Sequence, residues 1–149
     1  MRKFGAIAFA FVLVALVQPA LHAQDQKGAH TCKNCDMKFN DAEKKFSVVV
    51  PRGIEFSEFD DVGCALVWKN GECAMRQDAF DNNAVVYDYR TEEAVPIQSA
   101  FFVVEAGIKT PMGYGIVAFK IRAQAEQLVA ELKKGKVVKY AELDSLKLK

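Results

Sequence analysis

The chain has 149 residues, about half of them hydrophobic, and its 20 basic and 19 acidic side chains give a formal net charge of +1. A near-neutral mixture of charges leaves no electrostatic footprint for nucleic acid or an anionic membrane surface, and the length suits one compact domain with a real core. The sequence has no Gly-x-Ser-x-Gly turn, no His-x-x-x-His pair and no phosphate-cradling glycine loop, so no enzyme arrangement emerges.

Arg2 and Lys3 precede an uncharged apolar run from Phe4 to Val17, which Gln18-Pro19-Ala20 breaks before Leu21-His22-Ala23. A basic start, a short apolar stretch and a small residue at its end predict a cleaved secretory signal over residues 1–23. The run is shorter than the roughly 20 residues of a membrane-spanning helix. Its removal takes two basic residues and moves the formal balance from +1 to −1. Nothing later is apolar for long enough to span a bilayer, so the product is expected to be soluble, exported to the periplasm and without a stable membrane anchor.

Residues 24–45 read as a flexible, polar N-terminal segment that carries a sulfur-rich loop, Cys32-x-x-Cys35-x-Met37. A first β-β-α-β unit is predicted over 46–90. It comprises a strand from Phe46 to Val50, a turn at Pro51-Arg52-Gly53, a partner strand to Phe59, a helix from Val62 to Lys69 and a strand near Val85 to Tyr89. Asp60-Asp61 stands where a helix cap is needed, and Asn70-Gly71 where the helix must stop.

A second β-β-α-β unit is predicted over 91–149. Its strands run from Ala100 to Glu105, from Gly115 to Phe119 and from Lys136 to Tyr140. Ile121, Ala125, Leu128, Val129 and Leu132 recur at helical spacing ahead of Gly135. The fold class is therefore α+β, with two β-β-α-β units packed as one compact domain behind a short flexible N-terminal segment.

The densest cluster of potential ligands is His30-Thr31-Cys32-Lys33-Asn34-Cys35-Asp36-Met37. Two thiols two residues apart can converge on one ion unaided, and His30 and Met37 lie two residues outside them. Soft thiolate and thioether donors select Cu(I), Zn or iron–sulfur species over Mg or Ca. Thioether is not a usual zinc ligand, so Met37 tilts the choice towards Cu(I). Met112, in the turn Pro111-Met112-Gly113, is either a further sulfur donor or a plug over the strand ends. His30 is either a donor or an ordinary solvated side chain.

Other readings of the cysteines stand beside this one. Four cysteines in an oxidising compartment allow two disulfides, and Cys32–Cys35 alone can be a redox pair. A four-cysteine zinc site would need Cys64 and Cys73 as its second pair, with Cys64 inside a short helix. Cys64 and Trp68 share a helix face and read as core, whereas Cys73 is exposed or paired with Cys64.

The sequence resembles the NosL family of exported copper-binding proteins, accessory factors for copper-site assembly in nitrous oxide reductase. The matching elements are Cys32-x-x-Cys35-x-Met37, Phe59-Asp60-Asp61-Val62-Gly63-Cys64 leading to Trp68, Val86-Tyr87-Asp88-Tyr89, Ala100-Phe101-Phe102-Val103, and Thr110-Pro111-Met112-Gly113-Tyr114-Gly115 followed by Ala118-Phe119. The resemblance implies a Cu(I) site that combines cysteine sulfur with the methionine of the Pro-Met-Gly loop, and it implies two β-β-α-β units. The chain departs from the family pattern in having Asp36 where glycine is usual, and no lipid-attachment cysteine after the apolar run.

The resulting expectation is a non-enzymatic, periplasmic Cu(I) chaperone or carrier with Cys32, Cys35, Met112, Met37 and His30 as candidate ligands. Its partners would be a copper donor and a copper-dependent periplasmic enzyme, nitrous oxide reductase or similar. The alternative is a periplasmic thiol–disulfide protein using Cys32–Cys35 as its redox couple.

Overall fold

The computed structural model describes residues 29–144 and residue 146; the expected signal, 1–23, and the start of the polar segment lie outside the described residues. From residue 29 to 45 the segment expected to be flexible forms a small structured unit. Strands β1 (His30–Thr31) and β2 (Lys38–Phe39) pair antiparallel, with His30 opposite Phe39 and Thr31 opposite Lys38. A 3-10 turn, Asp41–Phe46, follows, and Asn40 and Glu43 close its start as a capping box. Cys32 and Phe39 are both buried.

The first half then continues with β3 (Val48–Arg52), β4 (Glu55–Phe59), α1 (Val62–Asn70), α2 (Ala74–Asn83), β5 (Val85–Tyr87) and β6 (Ala94–Pro96). Its four strands lie in the order β4-β3-β5-β6. Several elements differ from expectation, β6 (Ala94–Pro96) being an added strand. Phe46 ends the 3-10 turn, so the strand starts at Val48. A second helix, α2, is inserted between α1 and β5. Gly71 does stop α1, but the polar segment beyond it coils again because one side chain, Phe80, is fully buried and gives it an anchor. Phe80 packs against Phe59 and Trp68, with ring centroids 6.5 and 6.4 Å away.

The second half runs β7 (Phe101–Val104), β8 (Val117–Phe119), α3 (Arg122–Leu132), β9 (Lys136–Lys139) and a short α4 (Tyr140–Asp144). Its sheet has the order β8-β7-β9, all antiparallel. α3 ends with Lys133 in the left-handed region, and Gly135 (φ 99°) passes so close to Val104 and Ala106 that a Cβ would collide with them.

The unbroken apolar run in β7 has a physical reason: both faces of this strand are covered. Phe102 and Val104 join a large core with Val48, Phe59, Leu66, Phe80, Val86, Ile97 and Leu143, which draws on both halves of the chain. Val103 points the other way, into a smaller cluster with Val117, Phe119, Ala125 and Leu128 under α3. Each fully buried phenylalanine contributes about 1.5–3 kcal/mol before conformational entropy is counted. The result is one mixed helix-and-sheet domain.

Buried polar groups hold the layers in register. Lys69, 3% exposed, reaches Asp81 at 2.8 Å and the Tyr140 hydroxyl at 3.1 Å, and that hydroxyl donates to Asp81. Asp88 accepts N–H bonds from Arg90, Thr91 and Lys120 at 2.9, 3.0 and 2.8 Å, while the Tyr89 N–H donates to the Ala118 carbonyl. These bonds stitch the first half to β8. Among the described residues no helix is long and apolar enough to cross a membrane.

Candidate metal centre

Loop 32–37 closes on itself between β1 and β2. The Cys32 N–H donates to the Met37 carbonyl and the Asp36 N–H to the Cys32 carbonyl, each at 2.9 Å. Asp36 takes a positive φ of 57°, a conformation that aspartate tolerates better than most residues. The Lys33 N–H donates to the Glu58 carbonyl at 2.8 Å and fastens the loop to β4. This puts the Cys32 side chain wholly inside and leaves Cys35 partly exposed.

The chain that leaves β4 brings in the rest. Asp61 is the cap of α1, accepting the Gly63 N–H at 2.9 Å. One carboxylate is enough for that task, and Asp60 is turned inwards, 1% exposed, to face the thiols. Cys64 projects from the first turn of α1 and is equally buried. Cys32, Cys35, Cys64 and Asp60 each present a donor atom within 4.8 Å of the others. Cys35 points its thiol at the Asp60 oxygens, 3.7 and 4.0 Å away, and the Asn34 amide approaches the Cys64 sulfur at 3.6 Å.

Burial pushes the Cys32 thiol up to about 11, helped by its hydrogen bond to Asp60. Burial also raises the Cys64 thiol, more strongly than the amide of Asn34 lowers it. Both are therefore neutral at pH 7 without metal, and a soft cation would have to displace their protons. Three sulfurs and one carboxylate converging in a mostly dry site form a donor set that fits a single thiophilic ion.

The loop around Met112 is attached to the same helix start. The Met112 N–H donates to Asp61 at 3.2 Å, the Thr110 hydroxyl donates to the same carboxylate oxygen, and the Gly115 N–H donates back to Thr110 at 3.0 Å. Burial raises Asp61 above its ordinary value despite the bonds from Thr110, Gly63 and Met112. Tyr114 lies directly against Gly63, where a Cβ would overlap its ring. Burial, and then the nearby Cys64 and Asp61, raise the Tyr114 hydroxyl.

The residues singled out in the sequence are distributed as follows. Cys32 and Cys35 meet in the cluster. Met37 and Met112 are 54% and 38% exposed, the first ending the cysteine loop and the second hydrogen-bonded through its backbone to Asp61. His30 has each ring nitrogen on a carboxylate, Glu58 at 2.9 Å and Asp41 at 3.2 Å, and its ring stacks on Phe39. The hydrogen bond to Glu58, above all, raises its pKa.

Asp60 and Cys64 are the members that sequence reasoning assigned elsewhere, to a cap and to the core. The available signal was redundancy: two adjacent aspartates stood where one cap suffices. Cys73 is exposed and stands apart from the cluster, and all four cysteines are free thiols.

Two of three comparisons relate this chain to known proteins. A search among curated proteins finds no match. Among solved structures, the copper chaperone NosL from Shewanella denitrificans superposes with a TM-score of 0.61 at 17% identity, covering 83% of this chain and 96% of that one. That likeness is one of fold. The model of the NosL family matches residues 23–147, a span that includes every described residue. This chain belongs to the NosL family.

Proposed function

We propose that this protein is an exported carrier of Cu(I) that acts in the periplasm, taking the ion from a copper donor and passing it to a copper-dependent enzyme, with nitrous oxide reductase the leading candidate. The observation that carries the reading is the convergence of Cys32, Cys35 and Cys64 within 4.8 Å of one another. Cu(I) favours a few soft donors, and three thiols brought together by an N-terminal loop and a helix start provide them. The structural relative named as a copper chaperone supports the choice of cargo. Met37 and Met112 would act at the rim as thioether donors, and His30 would brace the loop through Glu58. No step of a chemical reaction is asked of the site, so the proposed role is not enzymatic.

The test is anaerobic titration of the reduced protein with Cu(I) against a competing chromogenic chelator, for wild type, Cys32→Ser and Met112→Ala. The expected outcome is one tightly bound ion, with Cys32→Ser weakened by roughly tenfold or more. Equal affinity of Met112→Ala and wild type would remove Met112 from the ligand set. A wild-type protein that does not compete with the chelator at all would overturn the carrier reading.

One observation favours a second cargo. Asp60 gives the cluster a hard oxygen donor, and three sulfurs with one carboxylate can also form a tetrahedral zinc site. Parallel titration with Zn²⁺ decides between them. The thiol–disulfide alternative predicts instead that air-oxidised protein accumulates a Cys32–Cys35 bond, with Cys73 left free.

A further inference from the structure

The three sulfurs of the cluster are not equivalent. Cys32 is 0% exposed and Cys64 1%, whereas Cys35 is partly open to solvent. Their supports differ in the same direction. Cys64 is built into the first turn of α1, beneath an Asp61 cap and beside the Tyr114 ring on Gly63. Cys32 sits at the base of its loop, held on both sides by backbone bonds to Met37 and Asp36. Cys35 is the partly exposed member, with its thiol on Asp60 and with exposed Met37 two residues on.

We infer that Cys35 is the exchange ligand, through which the ion enters and leaves, while Cys32 and Cys64 form an inner pair that retains it. The inference rests on the carrier reading above and assigns separate roles within that site. A partner's sulfur can approach the ion only from the open side, so the first cysteine–metal bond to be replaced is the one to Cys35. In the exchange a thiolate of the partner forms a bond to copper as the Cys35 Sγ–copper bond breaks. The partner's thiol gives up its proton to solvent and the released Cys35 thiolate takes one up. Copper remains Cu(I) throughout, so no oxidant or reductant is required. The inner pair keeps the ion bound until a second partner sulfur replaces it.

This ordering separates kinetics from affinity. With Cys35→Ser the inner pair remains, so the equilibrium affinity should fall modestly while transfer to a dithiol acceptor slows by roughly tenfold or more. With Cys64→Ser the affinity should fall by roughly tenfold or more and release should accelerate. The experiment is stopped-flow transfer of Cu(I) from each loaded, full-length protein to a small dithiol, alongside chelator competition at equilibrium. Circular dichroism of each variant establishes that it is folded.

Timed alkylation of the metal-free wild type, read by mass spectrometry, gives a readout independent of copper. Exposed Cys73 should react first, Cys35 next, and Cys32 and Cys64 last. If Cys35→Ser and Cys64→Ser lose affinity and transfer rate in the same proportion, or if Cys32 is alkylated before Cys35, the division of roles is wrong and the carrier reading survives. If wild type binds no Cu(I), both are overturned.

Discussion

The Thr110 hydroxyl donates its hydrogen bond to the Asp61 carboxylate, joining two residues 49 positions apart in the buried space where α1 begins. The same carboxylate caps α1 through Gly63 and accepts the Met112 N–H. One side chain thus fixes the helix turn that carries Cys64 and the loop that carries Met112.

Asp61→Ala should therefore cost more than an ordinary cap. The lost cap is worth about 1 kcal/mol, and the unpaired Thr110 hydroxyl and Met112 N–H add to it, for a total of about 2–4 kcal/mol. Thr110→Val should cost about 1–2 kcal/mol, and the two changes together should cost less than their sum because they share a bond. Urea unfolding of the three variants measures this. Strict additivity would show that the pair is not coupled.

Asp88 should shape the acid limb of stability. Burial alone would raise its pKa, but N–H bonds from Lys120, Thr91 and Arg90 outweigh that and hold it below the ordinary 3.8. A carboxylate depressed on folding stabilises the protein above its unfolded value, and that contribution is lost as pH falls through the lower folded value. Asp88→Asn should accordingly be destabilised by about 2–4 kcal/mol at neutral pH. The gap to wild type should narrow steadily below about pH 3.8. Unfolding midpoints measured at a series of pH values between neutral and strongly acidic would reveal a constant gap if Asp88 does not titrate in this way.

Asp60→Asn distinguishes the two candidate cargoes. A Cu(I) ion held by sulfur alone should bind to the variant within a few-fold of wild type, while Zn²⁺ that uses the carboxylate should bind about 10–100-fold more weakly. Equal losses for both ions would mean that Asp60 acts by holding Cys35 in place and not by choosing the metal.

Gly63→Ala tests the packing behind Cys64. A Cβ there overlaps the Tyr114 ring, so the substitution should destabilise by about 1–3 kcal/mol through overpacking. Removing the ring in Gly63→Ala/Tyr114→Ala should relieve part of that cost. Thermal unfolding of the single and double variants gives the answer, and a double variant less stable than the sum of the singles would contradict the contact.

Local pattern made Cys32 and Cys35 legible in the sequence, because two residues of spacing bring their thiols together without help from the fold. Asp61 was legible as a cap for the same reason. Cys64 and Asp60 belong to the site through long-range contacts such as the fastening of Lys33 to Glu58, which no periodicity announces. Apart from β6, the strands of the two larger sheets were readable within two residues from their β-branched and aromatic content. α2 was not, since Phe80 is its only buried residue and a polar helix with one anchor has no stripe to detect. β6 was missed because it is three residues long and ends in Pro96, a residue that reads as a turn.

The attachment of loop 32–37 to the domain has a mechanical consequence. The N-terminal hairpin of β1 and β2 is small, and a metal ion shared between Cys32, Cys35 and Cys64 would act as a staple between that hairpin and α1. Such a staple closes a chain loop running from Cys32 to Cys64 and restricts the open forms in which the hairpin lifts away. Loading would then be felt as stiffness: amide hydrogens of residues 30–39 should exchange more slowly in the loaded protein than in the empty one. Any partner that prised off the hairpin would loosen a bound ion by the same movement.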